Sequence, residues 1–156
     1  RSGRLRLVGD GTNVISMAYV ENVAMAHLQA ARALEPGSAV GGQIYFVNEP
    51  QPVNCGEWIN TLLGCAGLPP VTRRISAKAA YRIGAVCEGA WTLLRLRGEP
   101  PMTRFLAGQL ASSHSYRIDK AVRDFGYSPL VSVEDGLRRL EPELRQLVSN
   151  EKGKQR

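Results

Sequence analysis

An α/β fold is predicted for this sequence of 156 residues, because strand-like and helix-like segments alternate along it. Residues 43–48 form a short, largely apolar run, Gln-Ile-Tyr-Phe-Val-Asn, which is typical of a strand buried in a parallel sheet. A segment with helical periodicity, 21–34, precedes that run. A buried strand needs a neighbouring strand on each side, and this sequence has too few other strand-like segments to supply them. We therefore expect residues 43–48 to belong to a larger parallel sheet, of which this chain contains only a part.

The first fifty residues are predicted to contain two strands, a turn and a helix before the run at 43–48. The strands are expected at 4–8 and 14–20, with a turn at 9–13 in which an Asp-Gly pair favours positive φ. The helix at 21–34 repeats apolar positions every three to four residues. Its expected buried face consists of Val23, His27, Ala30 and Leu34.

The middle of the chain is predicted to be mostly helical. Asn54-x-x-Glu57 is a capping box for a helix that ends at Gly67 and two prolines. A strand is expected at 71–75. Ser76 then caps a long helix that reaches about residue 97. The expected buried face of this helix consists of Ile83, Cys87, Ala90 and Leu94.

The last third is predicted to hold three more helices. Thr103 caps a short one, a brief strand at 113–116 follows, and Asp119 opens a helix that Gly126 ends. Ser132-x-x-Asp135 begins the last helix. Pro142 lacks an amide hydrogen, so we expect a kink or a break there. Residues 149–156 form a polar tail.

Composition narrows the possible partners. A hydrophobic content of 44% and a charged content of 22% are globular values. The net charge of +6 comes from scattered basic residues without interleaved aromatic residues, so no nucleic-acid partner is predicted. Three cysteines without a CxxC pair favour a reduced, cytoplasmic protein. A membrane-surface role stays open, because residues 77–97 combine arginines and a tryptophan with an apolar stripe.

Three patterns imitate known sites. Tyr116-x-x-x-Lys120 has the spacing of a catalytic pair, but the tyrosine is predicted on a strand and the lysine in the next helix. The glycines at 9–11 and 37–42 do not lie between a strand and a following helix, as a dinucleotide loop requires. The two histidines lack clustered ligands. We therefore predict no catalytic, cofactor-binding or metal-binding residue.

Four motifs together resemble a known family. Residues 19–27 read Tyr-Val-Glu-Asn-Val-Ala-Met-Ala-His and residues 41–48 read Gly-Gly-Gln-Ile-Tyr-Phe-Val-Asn. Asp119-Lys-Ala, Phe125-Gly-Tyr with Pro129, and Ser132-Val-Glu-Asp-Gly-Leu137 follow. In this order they resemble the C-terminal half of an extended short-chain dehydrogenase/reductase of the NAD-dependent epimerase/dehydratase superfamily. Thr103-Arg-Phe ahead of His114-x-Tyr116 is similar to the 3β-hydroxysteroid dehydrogenase and sterol-4α-carboxylate 3-dehydrogenase branch.

The resemblance implies a domain plan and a cofactor. Residues 1–20 would lead from the catalytic core, 21–50 would be the last helix and strand of the Rossmann domain, and 51–148 would be the substrate-binding domain. An N-terminal half would then be absent, and with it most of the NAD or NADP site and the catalytic residues. We expect this fragment to be inactive by itself.

The implied activity is an NAD(P)-dependent hydride transfer at a secondary alcohol. The substrate would be a small apolar alcohol or ketone, such as a 3β-hydroxysteroid or sterol, and a homodimer is possible. The candidate substrate-pocket residues are Ser16, Met17, Tyr19, Trp91, Arg104 and His114.

Two alternatives remain. In nucleotide-sugar epimerases and dehydratases an arginine commonly precedes the Tyr-Val strand, where this sequence has Ile15. That apolar residue disfavours a sugar-nucleotide substrate, although Arg104 could supply charge. The other alternative is a non-catalytic binding module that reuses the fold.

Overall fold

The computed structural model describes the backbone of residues 5–153 and the side chains of residues 5–151. Within that part of the chain the α/β class is confirmed. The helices are α1 (Val20–Ala33), α2 (Cys55–Cys65), α3 (Ala77–Leu93), α4 (Arg104–Ala111), α5 (Asp119–Phe125) and α6 (Val133–Gly153). The strands are β1 (Leu7–Val8), β2 (Val14–Ile15), β3 (Val53–Asn54) and β4 (Arg74–Ile75).

The described residues divide into two compact units. The first unit comprises residues 5–15 and 54–114, and the second comprises residues 16–53 and 115–153. These units are defined by contacts within the structure and do not test the predicted division into a Rossmann domain, a substrate domain and a tail. That division stays a prediction.

In the first unit, a short parallel ladder packs against two helices. β1 pairs with β4 in the register Leu7↔Arg74 and Val8↔Ile75. Val8 lies in a core cluster with Ala80 of α3 and Ala107 of α4, all three buried. Alanines at these two helix positions let the backbones of α3 and α4 approach closely.

The predicted helix starts in this unit are confirmed. Asn54 Oδ1 accepts hydrogen bonds from the backbone N–H groups of Gly56 and Glu57. Ser76 and Thr103 cap α3 and α4 in the same way. Each cap satisfies amide groups that have no partner inside the helix.

The predicted buried face of α3 was wrong. Ala80 and Gly84 are buried, whereas Ile83 and Leu94 are 47% and 65% exposed. The prediction followed the large apolar residues, but the close approach to α4 selects small ones. α3 also ends at Leu93, earlier than predicted, and Arg95 beyond it adopts a left-handed backbone with φ of 49°.

The Asn54 cap predicts a measurable loss of stability. Asn54→Ala should lower the free energy of unfolding by about 1–2 kcal/mol, because two amide groups of α2 lose their acceptor. Urea titration followed by tryptophan fluorescence suits this test, since Trp58 and Trp91 both lie in the first unit. Asn54→Asp is the matched variant: it keeps the acceptor for the two amide groups, while a charged carboxylate oxygen replaces the Nδ2 donor to Gly11 O. An equal loss for both variants would contradict the capping role.

In the second unit, α1 and α5 enclose a core of Ala26, Ala121 and Tyr127. The predicted buried face of α1 was wrong, since Asn22 and Ala26 are its buried residues while His27 is exposed. His27 Nδ1 lies 2.7 Å from the carbonyl oxygen of Val23 in its own helix. The buried asparagine has a set of backbone partners that periodicity does not reveal.

Residues 43–48 do not form the predicted strand. The segment has no ladder partner among the residues that the structure describes. It still alternates as a strand would: Tyr45 and Val47 pack on the core, whereas Ile44 is 84% and Phe46 53% exposed. An apolar run becomes a β-strand only when a neighbouring strand supplies its backbone hydrogen bonds. The predicted strand at 113–116 is likewise reduced to one parallel bridge between Ile15 and His114.

The predicted kink or break at Pro142 does not interrupt α6. The helix runs from Val133 to Gly153 with the proline inside it, and so continues into the polar tail. The missing amide removes only one of the many backbone hydrogen bonds of a 21-residue helix. The predicted start is confirmed, because Ser132 Oγ accepts from the backbone N–H of Asp135 at 3.1 Å.

Candidate functional site

The six predicted pocket residues fall in both units. Trp91, Arg104 and His114 belong to the first unit. Ser16, Met17 and Tyr19 belong to the second. Each group is described within its own unit.

Arg104 is held by one carboxylate. It is the first residue of α4, and its backbone N–H donates to Glu88 Oε1 at 2.7 Å. Its Nε donates to Glu88 Oε2 at 2.6 Å. The backbone N–H of Arg104, and then its guanidinium, lower the pKa of Glu88. Glu88 in turn raises the pKa of Arg104, with a smaller effect from Tyr81. This pair fixes the start of α4 against α3.

The Glu88–Arg104 pair predicts a pH dependence. A carboxylate whose folded-state pKa is depressed stabilises the fold above its ordinary pKa of 4.5 and loses that contribution as the pH falls through the depressed value. The wild-type chain should therefore be more stable than Glu88→Gln at pH 7, and the difference should shrink below pH 4.5. Urea midpoints from tryptophan fluorescence between pH 7 and about pH 3 measure it. Glu99→Gln, at an exposed position of the same unit, should show no such convergence.

Trp91 lies one turn along α3 from Glu88. The ring is half-buried, and its Nε1–H is buried without an acceptor among the described residues. Trp91 lines an open hollow of about 460 Å³, and Arg104 lines an adjoining one of about 660 Å³. Both hollows include Glu88 and Thr92. The structure thus brings two of the predicted residues to neighbouring surfaces of α3.

His114 lies apart from these hollows. Its backbone N–H donates to Val14 O at 2.8 Å and continues the bridge with Ile15. Its Nε2 is buried without a partner in the described part of the chain. The backbone of His114 therefore has a pairing role in the first unit.

The three predicted pocket residues of the second unit contact other segments of that unit. Ser16 Oγ accepts from the backbone N–H of Tyr116 at 3.0 Å, and Met17 O accepts from that of Glu49 at 2.6 Å. The ring of Tyr19 lies so close to Gly136 that a Cβ there would be 2.8 Å from Cδ2. All three residues have packing or pairing roles in this unit, and a pocket role for them stays a prediction.

Tyr116 and Lys120 have different partners. Tyr116 stacks on Phe46 with ring centroids 4.3 Å apart. Lys120 Nζ donates to Gln43 Oε1 and Ile44 O and lies 4.7 Å from the centroid of the Tyr45 ring. The two side chains therefore do not present the shared helix face on which such a catalytic pair depends.

The described residues form no glycine-rich dinucleotide-binding loop. Gly9 and Gly11 have φ of 86° and 84° and form the predicted turn. The Arg74 guanidinium occupies the space where a Cβ of Gly11 would lie. No glycine loop connects a strand directly to a helix N-terminus within residues 5–153. The described side chains also contain no group of three His, Cys, Asp or Glu able to hold a metal.

Sequence reasoning missed Glu88 and Asn22. Glu88 is an isolated acidic residue in α3 and belongs to no motif. Nothing in the sequence therefore indicated that its partner lies on α4. Asn22 entered only as part of a family motif, although it bonds to Glu49 and to the backbone of Leu130 and Val131. Buried polar residues of this kind are visible only once their partners are placed.

Comparison with known proteins shows which family this chain resembles. The sequence model of the 3-beta hydroxysteroid dehydrogenase/isomerase family matches residues 1–74. A 2-alkyl-3-oxoalkanoate reductase of Stenotrophomonas maltophilia is 56% identical over 90% of this chain and 42% of that protein. A protein of the same name from Shewanella oneidensis is 44% identical over 92% of this chain and 38% of its own length. The chain is similar to this family over its first 74 residues and to these two reductases over most of its length.

Two further likenesses concern the sequence and the fold. The 3beta-hydroxysteroid-dehydrogenase/decarboxylase isoform 1 of Arabidopsis thaliana is 33% identical over 89% of the chain and 33% of its own length. A crystal structure described as that of gox2253 superposes with a TM-score of 0.56 at 20% identity, over 85% of this chain and 39% of the other. The predicted resemblance to this family and the predicted fold are confirmed. The chain spans about 40% of the length of the first two relatives.

No helix within residues 5–153 has both the length and the apolar character needed to cross a membrane.

Proposed function

We propose that this chain is part of an NAD(P)-dependent reductase that converts a 2-alkyl-3-oxoalkanoic acid to the 3-hydroxy acid. The observation that carries the proposal is the pair of relatives with that name, at 56% and 44% identity. Relatives named for steroids or sterols are 33% identical or less. In the overall reaction the 3-oxo carbon gains a hydride equivalent, its oxygen gains a proton, and one NAD(P)H is oxidised.

The names of the relatives share one chemical pattern. A 2-alkyl-3-oxoalkanoate carries its oxo group on the carbon next to a branched, carboxylate-bearing carbon. A sterol-4-alpha-carboxylate 3-dehydrogenase, the name of relatives at 28% and 24% identity, likewise acts on a carbon adjacent to one that bears a carboxylate. A carboxylate beside the reacting carbon is therefore common to both named substrate classes.

The proposal changes the substrate predicted from sequence. A 3β-hydroxysteroid or sterol was predicted, and that specificity is unconfirmed; an acyclic 3-oxo acid is favoured by the higher identities. The second candidate is a sterol-4α-carboxylate-type alcohol, supported by the relatives with that name at 28% and 24% identity. The apolar Ile15, at the position where nucleotide-sugar epimerases and dehydratases commonly carry an arginine, suits both.

Binding of NAD(P) is proposed for the full-length protein and is not assigned to residues 5–153. Because residues 5–153 hold no dinucleotide loop, no step of the hydride transfer is assigned to them. The role we assign to the chain is to bind and orient the substrate. A cytoplasmic location, a homodimer and the absence of a nucleic-acid partner stay predictions.

The test is an assay of the full-length product of the gene that encodes this chain. Racemic 2-hexyl-3-hydroxydecanoate serves as the substrate with NAD⁺ or NADP⁺, because 3-hydroxy acids do not lose CO₂ as 3-oxo acids do. Reduction of the cofactor with this acid, and none with dehydroepiandrosterone, is the expected result. Turnover of the steroid alone would reject the proposal in favour of a steroid dehydrogenase.

A further inference from the structure

One face of α3 in the first unit exposes large apolar side chains to solvent. Ile83, Val86 and Leu93 are 47%, 72% and 83% exposed, and Leu94 at the end of the helix is 65% exposed. At 3.6 residues per turn, these positions fall within about one third of the helix circumference. We call these four residues the α3 stripe. Single exposed apolar residues are ordinary, whereas a contiguous set on one face of a helix indicates an interaction surface.

The contact between α3 and α4 uses a different side of the helix. Ala80 is buried in a cluster with Ala107 of α4, and a Cβ on Gly84 would overlap the backbone at the start of α4. The same periodicity places Trp91 on the side of Ala80 and Gly84, so the tryptophan does not belong to the α3 stripe. Packing within the first unit therefore leaves the stripe uncovered.

Basic residues border the α3 stripe on the side away from α4. Lys78 and Arg82 are exposed, and neither forms an ion pair with a residue that the structure describes. Glu88 is the one acidic residue of α3, and it uses both carboxylate oxygens on Arg104. Residues 73–104 contain seven basic and two acidic side chains, a net charge of +5 out of the +6 of the whole chain. The surroundings of the stripe are therefore positive.

The charge around the α3 stripe favours an anionic occupant. A second copy on this face would add another set of basic side chains to the contact, which like-charge repulsion opposes. A helix with an apolar face and adjoining Lys and Arg side chains is suited to the headgroup region of an anionic bilayer. We propose that the α3 stripe docks on an anionic membrane surface. The helix axis then lies parallel to the surface, the apolar side chains enter below the headgroups, and Lys78 and Arg82 contact lipid phosphates.

The test measures cosedimentation with vesicles of the full-length product of the gene that encodes this chain. Vesicles of equal parts phosphatidylglycerol and phosphatidylcholine should bind the protein at low salt. Vesicles of phosphatidylcholine alone should bind it at least about tenfold more weakly, because they lack the attraction for basic side chains. Raising NaCl to about 0.5 M should remove most of the binding to the anionic vesicles, since salt screens the lipid charge. Absence of binding to the anionic vesicles, or equal binding to both kinds, would overturn the proposal.

One pair of variants tests the apolar contact. Leu93→Gln should lower the vesicle partition coefficient about tenfold, because a leucine side chain no longer leaves water. Leu147→Gln, at a leucine of α6 that is 61% exposed, is the matched control and should bind as the wild type does. Both positions are exposed, so the urea midpoints should stay at the wild-type value. Equal losses of binding for the two variants would reject the α3 stripe as the docking surface.

A second pair of variants tests the charge. Arg82→Gln should weaken binding to the anionic vesicles about fivefold and leave binding to phosphatidylcholine unchanged. Arg32→Gln, at an exposed arginine of α1, removes the same charge from the second unit and should have little effect. If Arg82→Gln and Arg32→Gln weakened binding equally, net charge and not this face would direct adsorption, and the proposal would fail.

Other occupants of the α3 stripe give different results in the same experiments. A fall in the urea midpoint for Leu93→Gln, in a protein that binds no vesicles, would assign the stripe to a contact inside the full-length protein. Loss of a dimer in Leu93→Gln by sedimentation velocity, again without vesicle binding, would assign it to a second copy. Either result would overturn membrane docking. The inference does not depend on the proposed function, because adsorption to vesicles is measured without turnover.

Discussion

Gly84→Ala should lower the free energy of unfolding by about 1–3 kcal/mol, although it adds only one methyl group. A Cβ built on Gly84 lies 2.6 Å from the backbone nitrogen of Arg104 and 2.6 Å from the carbonyl carbon of Thr103. These are backbone atoms, so no rotamer change can relieve the overlap. The helices must separate, and the hydrogen bond from Arg104 N–H to Glu88 is then strained.

Gly89→Ala is the matched control on the same helix. Nothing lies within 4 Å of a Cβ at that exposed position. Alanine there should therefore leave stability unchanged or raise it by up to about 1 kcal/mol through helix propensity. Urea unfolding followed by tryptophan fluorescence compares the two variants in one unit. If Gly84→Ala proved as stable as Gly89→Ala, the close contact between α3 and α4 would be wrong.

Asn22→Ala should destabilise the second unit by about 2–4 kcal/mol. Asn22 is 1% exposed and its side chain makes four hydrogen bonds. It donates to Glu49 Oε1 and to Val131 O, each at 2.8 Å, and accepts from the N–H groups of Leu130 and Val131. Alanine would leave buried amides and the carboxylate of Glu49, itself 5% exposed, without these partners.

The measurement is urea unfolding followed by far-ultraviolet circular dichroism. Asn150→Ala, at an exposed position on α6, is the control and should change stability by less than about 0.5 kcal/mol. Similar small effects for both variants would show that the Asn22 network does not hold α1 to the 130–131 segment.

Part of the candidate site was predictable from sequence and part was not. Arg104 and Trp91 were predicted as pocket residues, and each lines a hollow beside α3. Glu88 neutralises the charge of Arg104. This ion pair could not be predicted from the sequence, because its two members are sixteen residues apart on different helices.

The sequence by itself determined the class of fold and the places where helices begin. Asn54, Ser76, Thr103 and Ser132 cap helices as predicted, because a cap needs only amide groups within three residues of it. The motifs from 19–27 to 132–137 were sufficient to predict the family.

The tertiary structure alone decided which faces are buried and which apolar run becomes a strand. Ala80 and Gly84, not the larger Ile83 and Leu94, face α4, because close approach between backbones excludes long side chains. Residues 43–48 alternate as a strand does but gain no ladder without a neighbour to supply hydrogen bonds. Burial and pairing depend on the shape and polarity of distant segments, which a local pattern does not contain.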